Sequence, residues 1–120
     1  MPGKRILWVA TALDDLKDFS EHARRDAGHA LHLVQLGQEP PDWRPMPTIG
    51  PGATEIRVHA ESEYRVIYVA RFTEGIYVLH AFAKRTRQTP QRDLELARAR
   101  LREVTQWRRQ RSAQQRGGSE

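Results

Sequence analysis

Two stretches of this chain, YRVIYVARF (64–72) and IYVLHAF (76–82), are apolar on both parities of an extended backbone. A strand sends successive side chains to opposite faces. Runs that are apolar on both parities therefore read as central strands. Only Thr73-Glu74-Gly75 separates the two. A third run, ATEIRVH (53–59), precedes them across a short polar turn at 61–63. In it Ile56 and Val58 point one way, and Glu55, Arg57 and His59 the other. Such short connections predict an antiparallel meander.

RILWVA (5–10) reads as a first strand whose position and direction in the sheet stay open, because two helical stretches intervene. Thr11 can cap a helix, with Asp14 and Asp15 in its first turn. Leu13, Leu16, Phe19 and Ala23 carry that helix to about Arg25. A second helix is expected from about Asp26 and stops at Gly37. Residues 38–52 hold five prolines and two glycines and read as a loop, anchored by Trp43 and Met46. Thr89-Pro90 predicts a C-terminal helix with an apolar stripe of Leu94, Ala97, Leu101 and Val104. Its arginines at 98, 100, 102, 108 and 109 lie mostly around the rest of its surface. From about Gln110 the chain is polar and reads as disordered. The expected class is α+β: a small, mainly antiparallel sheet packed with two N-terminal helices, plus a C-terminal helix. One domain covers residues 1–109 and a basic tail covers 110–120.

The net charge of +5 is unevenly placed. Residues 1–83 balance at −2, whereas residues 84–116 carry +8. That asymmetry suggests an anionic partner: nucleic acid, a membrane surface or an acidic protein. A solvated arginine-rich helix is the plain alternative. No cysteine is present, which excludes disulfides and thiolate chemistry. The apolar run at the N-terminus is too short for a membrane span or a secretory core. A cytoplasmic protein that does not engage a membrane is the expectation.

His22, His29 and His32 fall on helices without a metal-binding pattern, and Gly50-x-Gly52 lacks the lysine and helix of a phosphate loop. No metal or cofactor is expected. The stronger signal is cationic: Arg57 and Arg65 on strands, His80 in the last strand, then Lys84, Arg85 and Arg87. One sheet can gather these into a phosphate-sized patch. RNA cleavage needs a base for the 2′-hydroxyl, cations for the crowded phosphorane and an acid for the leaving 5′-oxygen. Arg57 could equally pair with Glu55, and His80 could be a satisfied core histidine.

The block IYVLHAFAKRTRQTPQRDLELARARL (76–101) resembles the signature of a phage-derived family within the RelE/ParE toxin superfamily, related to HigB-type toxins. The matching features are His80-Ala81-Phe82, Lys84-Arg85-Thr86, Thr89-Pro90 and the helix from Gln91. ALHLVQLG (30–37), ATEIRV (53–58) and YRVIYV (64–69) match in the same order. The resemblance implies a toxin of a type II toxin–antitoxin system. It implies a metal-independent, ribosome-dependent mRNA endoribonuclease with a cognate antitoxin, the ribosome and mRNA as partners. Arg65, Lys84, Arg85, His80 and Arg57 would be catalytic, and Arg87, His59 and Arg92 would bind RNA. No tyrosine follows Tyr77, so proton transfer falls to a group other than the C-terminal tyrosine of some relatives. Some superfamily members poison DNA gyrase instead. A basic nucleic-acid-binding module without catalysis is a third reading.

Overall fold

The computed structural model describes residues 3–118. Its elements are β1 (Ile6–Trp8), α1 (Ala12–Lys17), α2 (Glu21–Gln35), β2 (Trp43–Pro45), β3 (Ala53–His59), β4 (Glu63–Val69), β5 (Ile76–Lys84) and α3 (Gln91–Gly118). The five strands form one sheet in the order β1-β5-β4-β3-β2. β2 to β5 are antiparallel, and β1 joins β5 in parallel. The meander is as expected, and the open question about β1 is answered. The chain leaves β1 through two helices and the meander before β5 comes to lie beside it in parallel.

Helices cover both faces. On one face Ala12, Leu16, Phe19, Ala23, Ala27, Leu31 and Val34 meet Ile56, Val58, Val66, Ile76, Val78 and Ala81. On the other, Ala97, Leu101 and Val104 of α3 meet Ile67, Val69, Tyr77, Leu79 and Phe82, with Met46 and Ile49 closing the edge. The double burial explains why β4 and β5 are apolar on both parities. Each buried large aliphatic contributes about 1.5–3 kcal/mol of transfer free energy.

Four local expectations need correction. The break between α1 and α2 falls at Asp18–Ser20, not near Asp26. Ser20 caps α2 by accepting from the Ala23 N–H at 3.2 Å, while Phe19 plugs the core against Tyr64 at 4.5 Å between ring centroids. Thr11 occupies the cap position of α1 without capping it; its hydroxyl donates to Asp15 Oδ2 at 2.8 Å. The proline-rich stretch contains the edge strand β2, where a proline is tolerated because one side of an edge is unpaired. Met46 is buried there but Trp43 is exposed. Finally, α3 continues to Gly118 through the segment expected to be disordered. At 1.5 Å per residue its 28 residues span about 42 Å, well past the sheet. Residues 119 and 120 of the expected tail lie outside the described residues.

Gly37 stops α2 as expected. It sits at φ +78°, with its N–H on Val34 O and that of Gln38 on Leu33 O. These two bonds satisfy carbonyls that the helix end leaves without partners.

Candidate functional site: a cationic cleft at the open end of the sheet

α3 starts over the later half of β5 and runs back towards Glu74. It therefore leaves part of its sheet face uncovered, where β3 ends, β4 begins and β5 ends. The ladders set what stands there. Arg57 pairs with Arg65, and Arg65 with Phe82, giving one row; His59, Glu63 and Lys84 form the next. Arg44 pairs with Glu55 in the row behind. A cleft of about 490 Å³ opens over these rows, lined among others by Arg44, Arg57, Lys84, Arg87, Thr89 and Leu94.

Two arginines directly opposite in a ladder repel each other. Glu55 offsets this from within the same face. It is fully buried, and Oε1 lies 3.3 Å from Arg44 Nε, 3.6 Å from Arg57 Nε and 3.7 Å from Arg65 Nε. None of these contacts is a hydrogen bond: Glu55 Oε1, Arg57 Nε and Arg65 Nε are all buried without one. The contacts to Glu55 Oε1 are therefore ones of charge rather than directed bonds. Oε2 accepts from the Thr89 hydroxyl at 3.2 Å. That contact gives Thr89 a partner in the sheet in place of the helix-capping role the sequence suggests.

Lys84 sits at the mouth of this cluster, half-buried. Burial holds its ammonium below the ordinary lysine range; Arg65, Arg57 and Arg44 push the same way, and Glu55 opposes them. Arg65 is buried and also donates to Glu63 Oε1 at 3.1 Å and to the Tyr64 carbonyl at 2.9 Å. His59 is exposed between two carboxylates, Asp42 at 2.6 Å and Glu63 at 2.8 Å. Those bonds, Asp42 first, raise its proton affinity.

The structure thus brings Arg57, Arg65, Lys84 and Arg87 together. Arg85 is exposed on the segment that leads into α3 and Arg92 is exposed in its first turn, and His59 lies one row beyond Arg57. His80 does not join them. It is 5% exposed, its Nε2 lies 2.7 Å from Asp93 Oδ1, and it stacks on Phe82. Arg100, expected at the surface, is buried against it, with Nη1 3.5 Å from His80 Nδ1 and 2.9 Å from the Leu79 carbonyl. His80 is a satisfied core histidine that docks α3 on β5.

Sequence reasoning gave no role to Arg44 and treated Glu55 only as a possible partner of Arg57. The usable signal was parity. Glu55 shares the face of Ile67 and Leu79, and strands apolar on both parities mean that this face is covered too.

A hollow of about 570 Å³ lies at the far end of α3, lined by Arg5, Glu74, Trp107 and Arg108 among others. There Arg108 is tied to Glu74 at 2.6 Å, and no strand contributes a convergent row of cations. Among the described residues, no three His, Asp or Glu side chains are grouped to hold a metal ion, and no helix is long and apolar enough to cross a membrane.

Fold and cleft together define a small α+β protein, two helices on one face of a mixed, mostly antiparallel sheet and one on the other, with a cationic cleft at the sheet's end. The family model described as Phage derived protein Gp49-like (DUF891) matches residues 14–102, and the chain belongs to that family. The matched stretch contains every residue of the cluster around Glu55. No curated protein matches the chain.

Proposed function

We propose that this protein is the toxin of a type II toxin–antitoxin pair, of RelE/ParE type, and that it cuts messenger RNA on the translating ribosome in the cytoplasm. The observation that carries the reading is the convergence of Arg44, Arg57, Lys84 and Arg87 on one cleft, with Arg65 behind them. A phosphodiester is the anion whose size and charge suit such a site. The resemblance of residues 76–101 to the HigB-related signature supports the same reading, since that block delivers Lys84 and Thr89 to the cleft.

In this mechanism the guanidinium groups of Arg44 and Arg57 hold the scissile phosphate and stabilise its transition state. The 2′-oxygen forms a bond to phosphorus as the bond to the 5′-oxygen breaks. The Lys84 ammonium, weakened as an ammonium by burial and by its cationic neighbours, gives its proton to the leaving 5′-oxygen. The 2′-hydroxyl gives its proton to water as the 2′-oxygen attacks, and the Lys84 amine is reprotonated from water, so the products are a 2′,3′-cyclic phosphate and a 5′-hydroxyl with no net proton release. An acidic, amphipathic antitoxin segment would neutralise the +8 of residues 84–116 and bar the cleft.

The test is to induce the protein alone and map RNA ends from translating ribosomes. Cyclic or opened 3′-phosphate ends are expected, and they should vanish when Lys84 and Arg85 are both replaced by alanine. Gyrase-dependent DNA breaks with intact mRNA would place it among the gyrase poisons instead. A binding-only reading has one observation in its favour: Glu55, the carboxylate nearest the cleft cations, is already committed to three arginines. Salt-sensitive RNA binding without cleavage or toxicity would select it.

A further inference from the structure

We infer that Glu55 is the positioning residue of the cleft: it holds Arg44, Arg57 and Arg65 in one convergent set, so that the guanidinium groups of Arg44 and Arg57 meet a single phosphate with buried Arg65 behind them. The inference rests on the cleavage reading only for its effect on rate. Three arginines brought together by strand register would otherwise splay to reduce their repulsion. Arg57 and Arg65 face each other directly across the ladder. Glu55 lies on the same sheet face one row behind, within 3.3–3.7 Å of all three arginines, and is itself fully buried. Burying a carboxylate is costly unless it is compensated. Here the compensation comes from three cations and one hydroxyl, that of Thr89. The hydroxyl ties the segment after β5 to the cluster and so sets where Arg87 enters the cleft.

The arrangement differs from a chain of ordinary ion pairs. Here Arg57 Nε and Arg65 Nε are held near the carboxylate without bonding to it. Charge draws the Arg57 guanidinium to the carboxylate, while Arg65 is fixed also by its bonds to Glu63 and the Tyr64 carbonyl. Glu55 is too deeply buried to touch RNA, so its part is played through the arginines.

The surroundings of Lys84 follow from the same cluster. It is faced by Arg44 from β2, Glu55 and Arg57 from β3, Glu63 and Arg65 from β4, and Arg87 from the segment after β5. Glu55 is among the carboxylates there and keeps the ammonium from weakening further.

Glu55→Gln keeps shape and removes the charge. It adds one positive charge to the cleft's balance, so plain attraction predicts RNA binding that is equal or stronger. Loss of positioning predicts a slower reaction. In Glu55→Gln, single-turnover cleavage is expected to fall roughly 100-fold. Low-salt affinity for a non-cleavable 2′-deoxy-substituted RNA is expected to stay within about twofold or rise. Nitrogen-15 NMR of the arginine Nε–H groups is the readout independent of activity. In the wild type the Arg57 and Arg65 signals should exchange and rotate slowly, unlike those of Arg85 and Arg92; in Glu55→Gln the Arg57 signal should become as mobile as the exposed ones, while Arg65 keeps its bonds to Glu63 and the Tyr64 carbonyl. The wild-type measurement needs no variant to fold. An Arg57 signal as mobile as that of Arg92 in the wild type, or unchanged in folded Glu55→Gln, overturns the inference. If the wild-type protein cuts no ribosome-bound RNA while the guanidinium signals respond as described, the nuclease reading falls and the positioning of the arginines stands.

Discussion

Glu74 shows how much a single neighbour can shift in this protein. Arg108 donates to it at 2.6 Å and the Tyr77 hydroxyl at 2.8 Å. The Arg108 bond, foremost, holds its carboxyl down at about 2. Burial and the Glu74 charge in turn push the Tyr77 phenol up to about 12, so it remains a donor. Because the folded value of Glu74 lies below the unfolded one, its stabilisation is present above pH 4.5 and fades as pH falls towards 2. The side chains are 25% and 35% exposed, so water screens the pair and the contribution is about 1 kcal/mol. Glu74→Gln should lower the melting temperature at pH 7 by about 4 °C. The gap between variant and wild type should close as thermal melts are repeated towards pH 2. Lys84 carries the corresponding prediction for activity. If its ammonium is the acid, the cleavage rate falls on the alkaline side at a lower pH than an ordinary lysine would give. Lys84→Ala should cost roughly 30- to 1,000-fold in single-turnover rate and remove that alkaline limb. A limb that survives the substitution would assign the proton to another group.

At the scale of elements, caps and docking contacts decide where helices begin and what they cover. Ser20→Ala should destabilise the protein by about 1 kcal/mol in urea unfolding, since it removes the α2 cap along with the hydroxyl's bond to Glu61 at 2.6 Å. Asp93→Ala should cost more, about 3 kcal/mol, because it strips the partner from buried His80 beneath α3. The same variant should keep cleavage per folded molecule within about tenfold of the wild type, which separates docking from chemistry. The sequence announces the antiparallel meander, the Gly37 stop and the stripe of Ala97, Leu101 and Val104, because each depends on a local period or turn residue. It does not announce the start of α2. Asp18, Ser20 and Asp26 are all credible caps by residue type, and Phe19 seating on Tyr64 decides among them. It offers a core place for His80 only as an alternative and does not announce Arg100 as its buried partner, since a bulge near Ile67 and Tyr68 shifts the pairing there.

For the whole molecule, the cationic third is divided among three jobs. Lys84 and Arg87 face the cleft, Arg100 and Arg108 hold α3 in place, and the helix beyond Arg109 carries its charge past the sheet. A chain ending at Arg109 should unfold in urea with a stability within about 0.5 kcal/mol of the full chain's. Its RNA affinity should depend less steeply on salt, by a slope of about 0.7 for each phosphate that the shortened helix no longer neutralises. A large drop in cleavage at low salt in that variant would show that the far end of α3 does more than attract. Local patterns reveal the layers of the molecule and most of its cleft cations, but not the cleft's depth, which depends on strand register between distant segments. Register has one more consequence, for the time at which the protein comes into being. β1 pairs with Ile76 to Val78, roughly seventy residues downstream, and the second face of the sheet closes only when Ala97 to Val104 arrive. During synthesis the first half of the chain has no complete sheet to join. The cleft is therefore assembled only after β5 and the start of α3 have left the ribosome that makes them, and the early part of the chain emerges with its cations not yet gathered.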